Sequence, residues 1–185
     1  MVKIKKSIII LCLSIFFSEI VYSNTVDNTI IVDISEQRLY LYETNLLKYS
    51  FPISSSKFGE GSKENSFKTP LGNHEIKEKI GTNVPINTIF IARENTGRKA
   101  TILNKNIDSN DDFVTSRILW LEGLEEGINR GSGVDSYDRY IYIHGTHEEG
   151  LIGQKASHGC IRMFNKDVIY LYNKVKEGTR VYIRI

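Results

Sequence analysis

Short stretches in which every second residue is apolar constrain the fold of this chain more than any other feature of its sequence. Such alternation occurs over 30–34 and 179–185, and the stretches 39–42 and 47–53 are separated by the short connection 43–45. Because successive side chains of a strand point to opposite faces, this period predicts strands with one buried face, and the connection predicts a hairpin. Shorter strands are predicted over the ranges 73–80, 87–92 and 117–121.

Helical periodicity is found near the C-terminus. An apolar stripe with helical spacing consists of Val168, Leu171, Tyr172 and Val175. We expect Asn165 to cap the helix at its start and Gly178 to end it. Many short strands with one helix in the C-terminal half predict a mainly β, β-sandwich-like domain. The polar segment from Arg93 to Ser116 is unpatterned and is predicted to be a long loop, of the kind that often forms a functional lid.

The first 23 residues differ in kind from the rest. Three lysines precede the apolar run 8–17, and Ser23 offers a small residue for cleavage. This order predicts a signal peptide over 1–23 and a single domain over 24–185; an uncleaved anchor and a buried N-terminal strand are the alternatives. The apolar run is too short for a stable membrane span. We therefore expect contact with a membrane only during export, and a mature protein that is periplasmic or secreted.

Removal of this segment changes the charge and the cysteine count. The whole chain has 24 Lys and Arg against 22 Asp and Glu, and residues 1–23 hold three Lys and one Glu, so the mature chain has 21 of each. A net charge of zero without a basic run argues against nucleic-acid binding. Of the 2 cysteines only Cys160 remains. In an oxidising compartment a lone thiol is either buried and inert or retained for its reactivity.

The residues around Cys160 favour reactivity. A thiolate is a strong nucleophile, and His144, at the end of an alternating strand and facing away from its apolar side, is placed to act as its base. The carbonyl of Gly145 is a candidate for orienting the imidazole. The amides of Gly159 and Cys160 are candidates for an oxyanion site. If the chain is extended after the cysteine, Arg162 lies on the same face as Cys160 and can hold a substrate carboxylate.

Other interpretations of these residues remain open. Cys160 can be a small core residue, and His158 can be structural, a partner of the base, or the base itself. Tyr142 either lines the groove or covers a sheet face. A zinc site built from His144, His147, His158 and Cys160 matches no familiar ligand spacing, so neither a metal nor another cofactor is expected.

The chain contains His-Gly, then a spacer, then Ser-His-Gly-Cys-Ile-Arg over 157–162. This motif resembles the signature of the L,D-transpeptidase catalytic domain family (YkuD-type). Residues 31–42 are similar to the opening hairpin of that family, and Phe67-Lys68-Thr69-Pro70-Leu71-Gly72 resembles its Thr-Pro-x-Gly turn. The resemblance implies a β-sandwich over 24–185 with Cys160 as nucleophile and His144 as base, oriented through Gly145. It also implies that Ser157, His158 and Gly159 shape the oxyanion side and that Arg162 contacts substrate. The insertion from Asn73 to Asp138 is the part least like the family.

The same resemblance implies the substrate and the reaction. Family members act on peptidoglycan peptide stems at the bond between diaminopimelate and D-alanine, and carbapenem-type β-lactams are expected inhibitors. An amine acceptor gives transpeptidation, and water gives L,D-carboxypeptidation with the same residues. A non-catalytic wall-binding domain is the third hypothesis, and it alone predicts that Cys160 is dispensable.

Overall fold

The computed structural model describes residues 28–185, in which ten strands, one α-helix and a short 3-10 turn alternate with loops. The predicted signal peptide lies outside the described residues. The strands are β1 (Asn28–Asp33), β2 (Arg38–Glu43), β3 (Leu46–Ser54), β4 (Gly72–Ile80), β5 (Thr88–Ile91), β6 (Glu94–Lys99), β7 (Val114–Gly123), β8 (Tyr142–Thr146), β9 (Ile161–Met163) and β10 (Arg180–Arg184), the helix α1 is Asn165–Lys174, and the turn is Glu149–Leu151.

The strands form one sheet that closes on itself. Their order is β4-β10-β1-β2-β3-β9-β8-β7-β5-β6, and β4 also pairs with β7, so eight strands complete a hydrogen-bonded circuit and the β5–β6 hairpin extends from it. Most neighbours are antiparallel, but β1 with β10 and β8 with β9 are parallel. The predicted mainly β class with one helix in the C-terminal half is confirmed.

The alternating segments became strands because they supply one buried face to a shared interior. The main core joins side chains of β1, β2, β3 and β10 to the apolar stripe of α1, and it includes Ile30, Val32, Leu39, Leu41, Ile53, Val168, Leu171, Val175, Val181 and Ile183. Thr44 and Asn45 both have positive φ, +50° and +64°, which is the backbone of the tight turn that suits a β2–β3 hairpin. A second cluster of Phe90, Ile118, Trp120 and Tyr142 packs against Cys160.

The segment from Arg93 to Ser116 departs from the prediction of an unstructured loop. It contains all of β6 and the beginning of β7. Strand β6 pairs only with β5 and lies at the end of the sheet order, and most of its side chains are exposed. An edge strand with two solvated faces needs no apolar alternation, so its sequence carries no period-two signal.

The ends of the helix also differ from the prediction. Asn165 does not cap α1: it is the first helical residue, and Phe164 precedes it without a side-chain cap. The Asn165 side chain instead donates to the Thr146 carbonyl and accepts from the Thr115 and Ser116 hydroxyls. Those contacts tie α1 to β7 and β8. The helix ends at Lys174, before Gly178, whose φ of +80° serves the next turn into β10.

Candidate active site

Cys160 lies directly before β9, at the edge of the second apolar cluster. Its Sγ donates to the Tyr140 carbonyl at 3.3 Å and accepts from the Tyr142 amide at 3.4 Å. Burial raises the pKa of the Cys160 thiol to about 12, with the Tyr142 amide acting in the opposite direction. The resting side chain is therefore a thiol at neutral pH, and it needs a base to become a nucleophile.

His144 lies on the parallel neighbour of the strand that follows Cys160. In the β8–β9 register, Ile143 pairs with Ile161 and His144 with Arg162, so His144 shares a face with Arg162 and lies two pairs beyond the level of the cysteine. The Nδ1–H donates to the Gly145 carbonyl at 2.7 Å. This bond fixes the tautomer and leaves the Nε2 lone pair available. Burial lowers the pKa of His144 to about 4, so the imidazole is neutral at pH 7.

The Ser157–Gly159 turn supports the cysteine from the other side. The buried Ser157 hydroxyl donates to the Cys160 carbonyl at 2.6 Å and accepts the Gly159 amide at 3.3 Å. Gly159 has a φ of +123°, a conformation that side chains rarely adopt, and its carbonyl accepts from the Thr69 hydroxyl at 2.9 Å. Because the Gly159 amide is directed at Ser157, the Cys160 amide is the better candidate for an oxyanion donor.

Arg162 is enclosed by protein rather than open to a groove. Its side chain is 1% exposed and lies 2.8 Å from Glu148 and 2.7 Å from Asp112. The two carboxylates compensate the buried cation. A direct contact of Arg162 with substrate, as the sequence suggested, would require Asp112 to move aside.

Asp112 belongs to the site although no sequence pattern selected it. One carboxylate oxygen contacts Arg162 and the other accepts from His158 Nδ1 at 2.8 Å. Burial alone would raise its pKa, but the charge of Arg162 holds the pKa of Asp112 below its ordinary value. Asp112 thus joins His158 to Arg162, and it brings the end of the Arg93–Ser116 segment against the 157–162 motif. Only adjacency to Asp111 in a polar stretch marks it in the sequence.

The tip of the β5–β6 hairpin reaches the same region through Arg93. Its guanidinium lies 4.7 Å from the Trp120 ring centroid and 5.0 Å from that of Tyr140, and it donates to the Tyr142 hydroxyl at 3.4 Å. Tyr142 itself is buried, with its ring in the second cluster and its amide on the thiol. The aromatic side chains and Arg93 therefore form one wall beside Cys160.

Two exposed aromatic rings lie beside His158. Phe58 and Phe67 are about half exposed and lie 5.7 Å and 6.1 Å, centroid to centroid, from the His158 ring. An open cavity of about 190 Å³ is lined by Phe67, Tyr140, Ile141 and His158, together with Asn65 and three charged residues. The cavity thus reaches Tyr140, whose carbonyl accepts from the Cys160 thiol.

The histidines weighed as zinc ligands take separate partners in the structure. His144 contacts Gly145, His147 contacts the Ser109 hydroxyl, and His158 contacts Asp112. Within residues 28–185, His, Cys, Asp and Glu side chains form no group of three or more that could hold a metal ion.

A family model matches nearly all of the part of the chain that the structure describes. The model of the L,D-transpeptidase catalytic domain, YkuD, matches residues 27–183. The chain belongs to this family. The match covers all ten strands described above apart from the last residue of β10.

Curated relatives of the L,D-transpeptidase family align over different lengths. The probable L,D-transpeptidase ErfK/SrfK of Escherichia coli K12 is 30% identical over 167 residues, which is 89% of this chain and 46% of the relative. The putative L,D-transpeptidase YkuD of Bacillus subtilis 168 is 58% identical over 41 residues, which is 22% of this chain and 25% of the relative. The chain thus spans about half the length of the ErfK/SrfK relative.

Solved L,D-transpeptidases share the fold at low sequence identity. One from Mycobacterium smegmatis superimposes with a TM-score of 0.51 at 15% identity, covering 86% of this chain and 59% of its own. L,D-transpeptidase 3 from Mycobacterium tuberculosis, in complex with a faropenem-derived adduct, gives a TM-score of 0.50 at 16% identity, covering 86% of this chain and 61% of its own.

Within residues 28–185, α1 is not long and apolar enough to cross a membrane.

Proposed function

We propose that this protein is a peptidoglycan L,D-transpeptidase in which Cys160 is the nucleophile and His144 the base. The observation that carries the proposal is the tautomer of His144. Its Nδ1 is held by the Gly145 carbonyl, so Nε2 of the buried, neutral ring is free to accept a proton, and β8 pairs with the strand that follows Cys160. Membership of the L,D-transpeptidase family supports the same chemistry.

The first half-reaction opens the donor stem. As His144 Nε2 takes the thiol proton, the sulfur attacks the diaminopimelate carbonyl carbon and a C–S bond forms. The oxyanion is stabilised by the Cys160 amide. When the C–N bond breaks, the proton on His144 passes to the leaving D-alanine, and a thioester remains. Because the pKa values of Cys160 and His144 lie near 12 and 4, proton transfer accompanies the attack instead of preceding it.

The second half-reaction transfers the acyl group. An amine of a second stem attacks the thioester, gives its proton to His144, and leaves a cross-link between the stems. The cysteine departs as a thiolate and recovers its proton from the imidazolium. The proposed sequence thus returns the thiol and neutral imidazole of the resting site. Attack by water would instead release a tripeptide.

The remaining roles follow from the contacts. We assign Ser157 and Gly159 to shaping the turn that presents the thiol, and Asp112, His158 and Arg162 to holding the adjoining loop in place. Tyr142 supports the thiol through its amide. Residues 1–23 are proposed as a cleaved signal peptide, which would place the domain in the periplasm or outside the cell, where peptidoglycan is accessible.

The test is incubation of residues 24–185 with disaccharide tetrapeptide, followed by mass spectrometry of the products. The proposal expects free D-alanine and a cross-linked dimer, both absent with Cys160→Ala. Tripeptide without dimer would replace transpeptidation by L,D-carboxypeptidation. Binding of the stem without any product from the parent protein would instead favour a wall-binding domain.

Covalent inhibition offers an independent check of the nucleophile. A related L,D-transpeptidase carries a faropenem-derived adduct in its solved structure. We expect a carbapenem to add its mass to Cys160 and not to Cys160→Ala. Absence of an adduct after long exposure would mean that the groove differs from that of the relatives.

A further inference from the structure

Two adjoining cavities share three charged residues that the proposed mechanism does not use. The cavities measure about 190 and 200 Å³, and both are lined by Glu64, Asp138 and Arg139. The first also reaches Tyr140, whose carbonyl accepts the Cys160 thiol. A substrate group that extends from the reacting carbonyl into these cavities would meet those charges.

Arg139 presents a cation that the protein holds but does not neutralise by an ion pair. Its guanidinium donates to the Lys68 carbonyl at 2.7 Å and to the Gly61 carbonyl at 3.4 Å. Among residues 28–185, no carboxylate lies within 4.0 Å of it. Burial lowers the pKa of Arg139, while the charge of Glu64 and the thiolate form of Cys160 act in the opposite direction. A fixed, partly desolvated guanidinium favours a carboxylate ligand.

Two carboxylates line the same cavities without pairing with Arg139. Glu64 and Asp138 are exposed, and in the described part of the chain their side chains form no ion pair with a lysine or arginine. Glu64 is near enough to act on Arg139 electrostatically and yet is not paired with it. The cavities thus present one cation and two anions with space between them.

We infer that these cavities bind a zwitterionic amino-acid head group, with Arg139 contacting its carboxylate and Glu64 or Asp138 its ammonium. This inference rests on the proposed function, because the far end of a diaminopimelate side chain carries such a head group. A lysine side chain lacks the carboxylate, and in an amidated diaminopimelate a neutral amide replaces the carboxylate while the ammonium remains. Arg139 is therefore a specificity-determining residue that selects stems with a free diaminopimelate carboxylate.

The test measures binding to the Cys160→Ala protein, so that catalysis is not required. The probes are stem tetrapeptides that contain diaminopimelate, its side-chain amide, or lysine, titrated by calorimetry. We expect the free carboxylate to bind about tenfold more tightly than the amide, as one charge-assisted contact allows. Arg139→Gln should remove that preference, and Arg139→Lys should retain part of it. Arg180→Gln, at an exposed arginine outside the cavities, is the matched control and should change nothing.

The ammonium contact is tested separately with Glu64→Gln combined with Asp138→Asn. This variant should lose the preference for a free over an acetylated side-chain amine, while keeping the preference for the free carboxylate. If the protein that keeps Glu64 and Asp138 binds stems with a free and with an acetylated side-chain amine equally well, this half of the inference is overturned. Since Arg139 also holds two loop carbonyls, melting temperatures accompany each titration; if Arg139→Gln does not fold, Arg139→Lys and the double variant decide.

Failure of the inference is distinguishable from failure of the proposed function. Equal affinity for the three stems, or the same loss for all of them in Arg139→Gln, would overturn the inference even if the parent protein produces dimer. Conversely, Arg139-dependent preference in a protein whose parent releases no D-alanine would uphold the binding site and refute the enzymatic proposal.

Discussion

Two buried histidines, His74 on β4 and His144 on β8, have the same electrostatic character and different surroundings. Each directs Nδ1 to a nearby backbone carbonyl, that of Gly72 at 3.0 Å and that of Gly145 at 2.7 Å, and burial lowers the pKa of each to about 4. At His74 the second nitrogen accepts from the Ser136 hydroxyl at 3.0 Å. At His144 the second nitrogen has no protein hydrogen-bond partner among the described residues.

The comparison separates burial from function. A strongly lowered pKa identifies an imidazole removed from water, and both histidines meet that description. Only His144 combines it with an unoccupied lone pair on the strand that pairs with β9, directly after Cys160. His74 is a satisfied structural residue, and we predict that the two will respond differently to substitution.

The largest expected difference is in acylation rate. His144→Ala should slow D-alanine release from tetrapeptide by about 10²–10⁴-fold, the range usual for loss of a general base. His74→Ala should leave the rate of the folded fraction within about threefold, because its ring contacts no reacting group. Single-turnover release, corrected for the folded fraction by circular dichroism, measures both. Comparable losses in the two variants would remove the distinction.

The setting of His144 also includes a buried ion network that His74 lacks. Arg162→Met should cost about 3–5 kcal/mol of unfolding free energy, because it leaves Glu148 buried without its cation. Urea denaturation measures the loss, and the double variant Arg162→Met with Glu148→Leu should recover much of it. A single-variant loss under about 1 kcal/mol would mean that the network is open to water.

Acid unfolding should report both histidines together. Each has a folded-state pKa below its ordinary value, so the unfolded chain binds the proton more readily, and stability present above pH 6.5 is lost as the pH falls towards 4. The lowered pKa of each corresponds to about 3 kcal/mol over that window. His147, whose pKa burial also lowers, adds in the same direction.

Urea midpoints at pH 7, 5.5 and 4.5 measure this dependence. His74→Gln and His144→Gln should each flatten it by a similar amount, and the double variant by about the sum. Carboxylates with lowered pKa, such as Asp33 and Asp112, act mainly below this window. A slope unchanged by either substitution would contradict the buried neutral state of that histidine.

The sequence predicted the elements that rely on apolar burial. The β2–β3 hairpin, β1, β10 and the α1 stripe were predicted because each supplies alternating or helically spaced side chains to the main core. Strand β6 was missed because both of its faces are solvated. Asn165 was misassigned because the choice between a helix cap and a link to β7 depends on strands far away in sequence.

In the candidate site, too, the sequence marked residues that belong to a pattern and missed those that do not. A contiguous motif marked Cys160 and its turn, and a strand pattern placed His144. Asp112, Arg93 and Arg139 meet the motif only through tertiary contacts, and single charged residues in polar segments have no periodicity to mark them. Arg162 lies on the expected strand, but its burial depends on Glu148 and Asp112, which one-dimensional patterns do not bring together.

The most direct test of the central claim is the pH dependence of single-turnover D-alanine release, from pH 3.5 to 8, for the parent protein and for His144→Gln. If a neutral His144 is the base for Cys160, the parent rate should be level near neutrality and fall with a midpoint near pH 4, with circular dichroism confirming the folded state at each point. In His144→Gln the rate should be low and lack that midpoint. A midpoint near 6.5 in the parent, or the same profile in the variant, would contradict the assignment.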